Sequence, residues 1–152
     1  MENRLKNKNT DNTDVRTAIH HLRKAIAAGG VDPKLLALVH LCASQINNCS
    51  ACVHASVAGG KKAGDTDERL HHVAAWREAP FHTGAERAAL ALAEAATRPQ
   101  DGAPGVTDEI REEVDAHFTE ERIGALNLEI ALTSFFNRIN RTIKEPAGST
   151  WG

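Results

Sequence analysis

Apolar residues recur along this chain at the three- and four-residue spacing of α-helices, and no alternating run is bounded by hairpin turns. Val15, Ile19, Leu22 and Ile26 mark a first helix, with Asp14 its expected cap and Gly29-Gly30 its stop. Asp32-Pro33 opens a second, because proline at the first helical position gives up only an N–H that would be unpaired anyway. That helix runs to about Ile46. Leu35, Val39, Cys42 and Ile46 form one face, and Leu36, Leu38 and Leu41 broaden it until the helix must be largely buried. A third helix is expected after Asn47 and Asn48, both good N-caps, and ends at Gly64. Its interior pair Gly59-Gly60 costs about 1 kcal/mol per glycine relative to alanine, so it marks the close approach of another backbone or a weak point.

The second half continues in the same period. Residues 65–68 supply an N-cap and a glutamate placed to reach back, for a helix carrying Leu70, Val73 and Trp76 that stops at Pro80. Thr83 to Glu86 is a capping box before an alanine-rich helix over 88–96, and residues 98–105, with two Pro and two Gly, form a loop. Thr107 caps a charged helix whose buried side is Ile110, Val114 and Phe118. Thr119 caps the last helix, from about Glu120 to Lys144. Its main stripe is Leu128, Leu132, Phe135, Ile139 and Ile143, and a second is Ile123, Leu126 and Ile130. The pattern predicts an all-α, single-domain bundle of about seven helices. A disordered polar arm (1–13) precedes the helical domain (14–145), and a tail (146–152) follows. The two-sided apolarity of the last helix predicts that another subunit covers part of it.

Composition changes this picture little. The 152 residues are 41% hydrophobic and 25% charged, enough for a buried core. A net charge of −2 with both signs interspersed predicts no nucleic-acid partner and no membrane surface. The N-terminus lacks the apolar stretch of a signal peptide. Three cysteines make no disulfide framework, and a cytoplasmic protein with thiols reduced between turnovers is expected.

The chemistry lies in Ser44-Gln45-Ile46-Asn47-Asn48-Cys49-Ser50-Ala51-Cys52. Two cysteines separated by two residues can close a disulfide with little backbone movement. At a helix start the unpaired N–H groups and the dipole also stabilise the nucleophilic thiolate. Half of a zinc site, or two buried thiols without a role, are the other readings of the pair. Cys42, His40 and His54 could add zinc ligands, but no second CxxC or HxxxH accompanies them. Cys42 itself fits the core stripe as a packing residue.

Ser44-Gln45-Ile46-Asn47 leading into Cys49 and Cys52, then Lys62-Ala63-Gly64, Asp67-Glu68-Arg69-Leu70, Ala75-Trp76-Arg77-Glu78-Ala79-Pro80-Phe81 and Glu86-Arg87-Ala88-Ala89-Leu90, resembles the CxxC-bearing branch of the carboxymuconolactone decarboxylase / alkylhydroperoxidase D-like family. The resemblance covers about residues 14–145, and Asn137-Arg138-Ile139-Asn140 looks like the family's C-terminal part. It implies an all-helical fold, assembly into trimers or hexamers, and thiol-dependent peroxidase activity without metal or organic cofactor. It also assigns Cys52 as the peroxidatic and Cys49 as the resolving cysteine. The family's proton relay uses a glutamate and a histidine at the positions held here by Ala37 and Ser56; some members carry a histidine where Ala51 stands.

With the relay absent, other residues come into question. At about 100° per residue, Ser56 falls between the two sulfurs on their own face, while His54 points nearly away from Cys52. His40 lies one turn after Ala37 and is the candidate substitute base if it faces the CxxC helix; otherwise it is a partly exposed histidine without a role. The remaining histidines are expected at the surface or in packing. The expected activity is reduction of a small hydroperoxide, with an external dithiol restoring the pair. A redox sensor or structural oligomer, and lactone decarboxylation, are the alternatives.

Overall fold

The computed structural model describes residues 4–5, 11–99 and 104–149. Those residues form seven α-helices and no strand: α1 (Thr13–Ala28), α2 (Pro33–Ile46), α3 (Ser50–Lys62), α4 (Asp67–His71), α5 (Gly84–Thr97), α6 (Asp108–Asp115) and α7 (Glu120–Ile143), with a 3-10 turn at Val73–Ala75. The all-α architecture is as the hydrophobic period predicts. The expected arm (1–13), the 98–105 loop and the tail lie partly outside the described residues. Within them, the Arg4 N–H donates to the Ile143 carbonyl at 2.7 Å.

Every helix start shows why the chain bends where it does. Asp32, Thr66, Thr83, Thr107 and Thr119 each accept a backbone N–H of the first turn, and Thr83 with Glu86 closes the full capping box. Two expected caps are corrected. Asn12, not Asp14, caps α1, accepting from the Asp14 N–H at 2.8 Å; Asp14 instead adds its negative charge to the first turn. The helix expected to run through Trp76 stops after 5 residues at His71, and the 3-10 turn carries the chain on. There Asp65 and Glu86 both hold the Arg69 guanidinium.

The core forms around α2, which packs against α3, α5 and α7. Leu38, Val39 and Leu41 of α2 are completely buried, as are Val73, Leu90, Val114 and Leu126 from the elements around it. Small residues bring helices close. A Cβ on Gly29 would stand 2.4 Å from the Ala125 Cβ, where the end of α1 crosses α7, and one on Gly60 would meet Leu70 at 2.7 Å. The close backbone expected at the α3 glycine pair is not there: Gly60 meets the Leu70 side chain instead, and Gly59 meets nothing within 4 Å.

The last helix buries its second stripe and only part of its main one, Leu132 and Ile143. Ile123, Leu126 and Ile130 are buried, whereas Leu128 and Phe135 are 39% and 41% exposed. Leu22 on α1 is exposed as well. The chain's own core covers one stripe, and the other remains partly uncovered in the single chain.

Gly29→Ala should therefore force α1 from α7 and cost about 1–3 kcal/mol, as overpacking does. Gly59→Ala, whose added methyl meets nothing within 4 Å, should stabilise the protein by about 0.5–1 kcal/mol. Urea unfolding of both variants tests the pair; a stabilised Gly29→Ala variant would disprove the close crossing.

Candidate redox site

The turn between α2 and α3 places the cysteines. Asn47 closes α2 with its N–H donated to Ala43, and Asn48 turns the chain in the left-handed region at φ 53°, which asparagine tolerates. Because this turn consumes both asparagines, neither caps α3. Cys49 itself is the N-cap, its sulfur accepting the Cys52 N–H at 3.4 Å. Its own N–H donates to the Ser44 carbonyl at 3.0 Å. Cys49 and Cys52 are joined in a disulfide, 1% and 3% exposed, against Ile26 of α1 and Leu132 and Phe136 of α7.

Cys42 is a free, buried thiol in the main core. Burial, then the Glu94 carboxylate, push its pKa up to about 12, so it remains protonated and unreactive at neutral pH.

A buried polar seam ties the turn to α7. Asn137 donates to the Ser44 hydroxyl at 3.1 Å and accepts from the Asn47 amide at 2.9 Å. One turn further on, the Asn140 amide nitrogen stands 3.3 Å from the Cys52 sulfur. Sequence reasoning assigned these two asparagines no role. Their only signal was a short polar motif within the last helix, and helical period alone does not say which helix such residues meet.

The other candidates lie as follows. Ser56 is buried on the cysteine face of α3, but its hydroxyl donates to the Cys52 carbonyl at 2.7 Å. Its proton is thus engaged with backbone. His54 is exposed, near Gly148 of the tail. His40 looks across to α7, with Nδ1 3.9 Å from a Glu129 oxygen and a buried Nε2 that lacks a partner among the described residues. Burial, then the Arg23 charge, lower its pKa to about 4, and burial raises that of Glu129. An imidazole so weakly basic is a poor proton acceptor at neutral pH. Ala37 faces Gly60 on α3. No cluster of His, Cys, Asp and Glu suited to a metal ion occurs among the described residues, and no described helix is long and apolar enough to cross a membrane.

The motifs around Trp76 are scaffold. Arg87 donates to the carbonyls of Trp76 (2.9 Å), Arg77 (2.6 Å) and Ala79 (3.1 Å). The Trp76 indole donates to Glu94 at 3.3 Å, with the Arg77 guanidinium over its ring at 4.3 Å. Together with the Arg69–Glu86 pair these bonds clamp the segment between α4 and α5, and none of them reaches a sulfur.

The burial of His40 makes stability fall in acid. Above pH 6.5 the imidazole is neutral in both states; between 6.5 and 4 only the unfolded chain takes up its proton. At about 1.4 kcal/mol per pKa unit the full loss is about 3–4 kcal/mol. The raised pKa of Glu129 acts with the opposite sign. His40→Gln, which retains Glu129, should flatten the acid limb in urea melts from pH 7 to 4; an unchanged limb would place the imidazole in solvent.

Residues 13–95 match the carboxymuconolactone decarboxylase family. Among relatives, Bacillus subtilis (strain 168) protein YdfG is 33% identical over 113 residues, which is 74% of this chain and 75% of that one. Among solved structures, ATU0492 of Agrobacterium tumefaciens, for which antioxidant defence protein AhpD is the candidate identity, superposes with a TM-score of 0.85 at 26% identity, covering 98% of this chain and all of that one (100%). The debrominase Bmp8 superposes with a TM-score of 0.80 at 23% identity, covering 91% and 74% respectively, a likeness of fold. A seven-helix frame carrying a bonded CxxC pair, together with this match over more than half its length, makes the chain a member of the carboxymuconolactone decarboxylase family, with an alkylhydroperoxidase D-like fold.

Proposed function

We propose that this chain is a thiol-dependent reductase of small hydroperoxides, or a closely related disulfide oxidoreductase, working through Cys49 and Cys52. The observation that carries this reading is the Cys49–Cys52 bond at the N-terminus of α3, with an N–H donor on each sulfur. Reduced, such a pair has the helix terminus and buried donors to favour a thiolate. The Cys52 thiolate attacks a peroxide oxygen and becomes a sulfenic acid, Cys49 condenses with it to the disulfide, and an external dithiol resets the pair. The near-complete burial of both sulfurs suits a small peroxide better than a bulky one.

The protein should consume peroxide with dithiothreitol as reductant, and Cys52→Ser and Cys49→Ser should each abolish turnover. The rate should be low, because general-base assistance, typically worth about 10²–10⁴-fold, has lost both of its family positions. Ala37→Glu combined with Ser56→His should raise it more than either change alone, since the histidine needs an orienting partner. No peroxide consumption by the natural protein would reject the reading, as would turnover that survives loss of Cys52.

The partly exposed Leu128 and Phe135 on α7 support a homo-oligomer, a trimer or hexamer, as the working form. Sedimentation should show an assembly at micromolar concentration that Phe135→Asp weakens; a monomer would rule it out.

A further inference from the structure

We propose that Asn140 is a catalytic residue of this site, whose amide N–H holds the Cys52 thiolate and whose amide oxygen receives the O–H of the peroxide oxygen under attack. The proposal rests on the reading of Cys52 as the attacking thiol. Its ground is a direct contact. The Asn140 amide nitrogen stands 3.3 Å from the Cys52 sulfur, on a side chain that is buried with it. A sulfur in a disulfide carries no proton, so only an N–H facing it makes a bond. That orientation leaves the amide oxygen on the same side-chain carbon as the donating nitrogen. The oxygen is buried and has no donor among the described residues. A buried acceptor without a partner is costly to keep, and here a substrate O–H would satisfy it.

Asn140 also resolves a competition between the two sulfurs. The start of α3 gives its N–H to Cys49, since the Cys52 amide points at the Cys49 sulfur. Left to the backbone, Cys49 would be the favoured thiolate. The side chain from α7 shifts the preference to Cys52, through a charge-assisted hydrogen bond at a buried sulfur. Neither other candidate supplies this donor: the Ser56 hydroxyl is given to backbone, and the imidazole of His40 lies beside Glu129.

The chemistry balances without another group. The Cys52 thiolate attacks the terminal oxygen of ROOH; the S–O bond forms as the O–O bond breaks, sulfur losing two electrons to the peroxide. The attacked oxygen keeps its hydrogen, which stays bonded to the Asn140 oxygen from peroxide to sulfenic acid. The leaving alkoxide takes a proton from water. The Cys49 thiol then displaces hydroxide from the sulfenic acid, giving the disulfide and water.

The test reads the thiols directly and needs no peroxide turnover. Reduced protein is pulsed with iodoacetamide between pH 5 and 9, and modification of Cys49 and Cys52 is mapped separately by mass spectrometry. In the natural protein Cys52 should react first. In Asn140→Ala its rate at pH 7 should fall about tenfold, one pKa unit, while that of Cys49 holds, so that Cys49 becomes the faster thiol. Asn140→Asp keeps the shape and the acceptor but lacks the donor, and should lose at least as much; it serves as the test should the alanine variant lose helicity. Equal Cys52 rates in the natural and aspartate proteins would overturn the proposal. A natural protein that consumes no peroxide, yet whose Cys52 rate depends on Asn140, would refute the peroxidase reading and the acceptor role while upholding the donor. In the Cys49→Ser background, Asn140→Asp should likewise slow sulfenic acid formation by hydrogen peroxide about tenfold or more; an unchanged rate would overturn the catalytic role.

Discussion

One buried amide holds the working end of this molecule together. Asn137 bonds the Ser44 hydroxyl and the Asn47 side chain, so α7 grips the last turn of α2 at the point where the chain reverses into α3. The reversal places Asn48 in a left-handed conformation and leaves Cys49 as the first residue able to cap the next helix. The position of both sulfurs follows from that. A buried hydrogen bond is worth about 1 kcal/mol net, but a buried polar group left unpaired costs about 1–3 kcal/mol. The seam therefore specifies the register of α7 against α2 more strongly than apolar packing would, since sliding it by one turn would strand three polar groups.

The site built on that seam keeps one half of a familiar chemistry and lacks the other. Paired cysteines at a helix start can form and break a disulfide wherever a thiolate is stabilised. Rapid proton transfer needs a base with a pKa near the working pH. At the family's relay positions Ala37 packs against α3 and Ser56 bonds its own helix. His40 stands near this region, but burial and Arg23 hold its pKa at about 4. The polar groups that do meet the sulfurs are hydrogen-bond donors, which favour an anion without moving a proton.

Scaffold and chemistry occupy separate parts of the chain. The Arg69, Trp76 and Arg87 bonds brace the stretch between α4 and α5, where regular helix gives way to a short 3-10 turn. The side chains packed around the cysteines come instead from α1, α7 and, through Leu36, α2. α7 thus serves the core with Leu126 and Ile130, the redox pair with Leu132, Phe136 and Asn140, and leaves Leu128 and Phe135 partly bare.

The sequence by itself determined the helices, because apolar period, proline and capping residues act within a few residues of one another. The caps Asp32, Thr83, Thr107 and Thr119, the burial of α2 and the inert place of Cys42 were all legible in it. So was the closeness of Cys49 and Cys52, since the short spacing brings both sulfurs to one helix start. What it left open depends on contacts between residues distant in the chain. The sequence ranked the Leu128 and Phe135 stripe of α7 first, and only packing against α2 and α5 put Ile123, Leu126 and Ile130 in the core instead. Asn48 could cap or turn, and the tie from Asn47 to Asn137 made it turn. The contact of Asn140 with Cys52 spans 88 residues, and the pairing of His40 with Glu129 likewise joins two helices remote in sequence. Local rules fix which residues share a face, but only tertiary packing decides which faces meet.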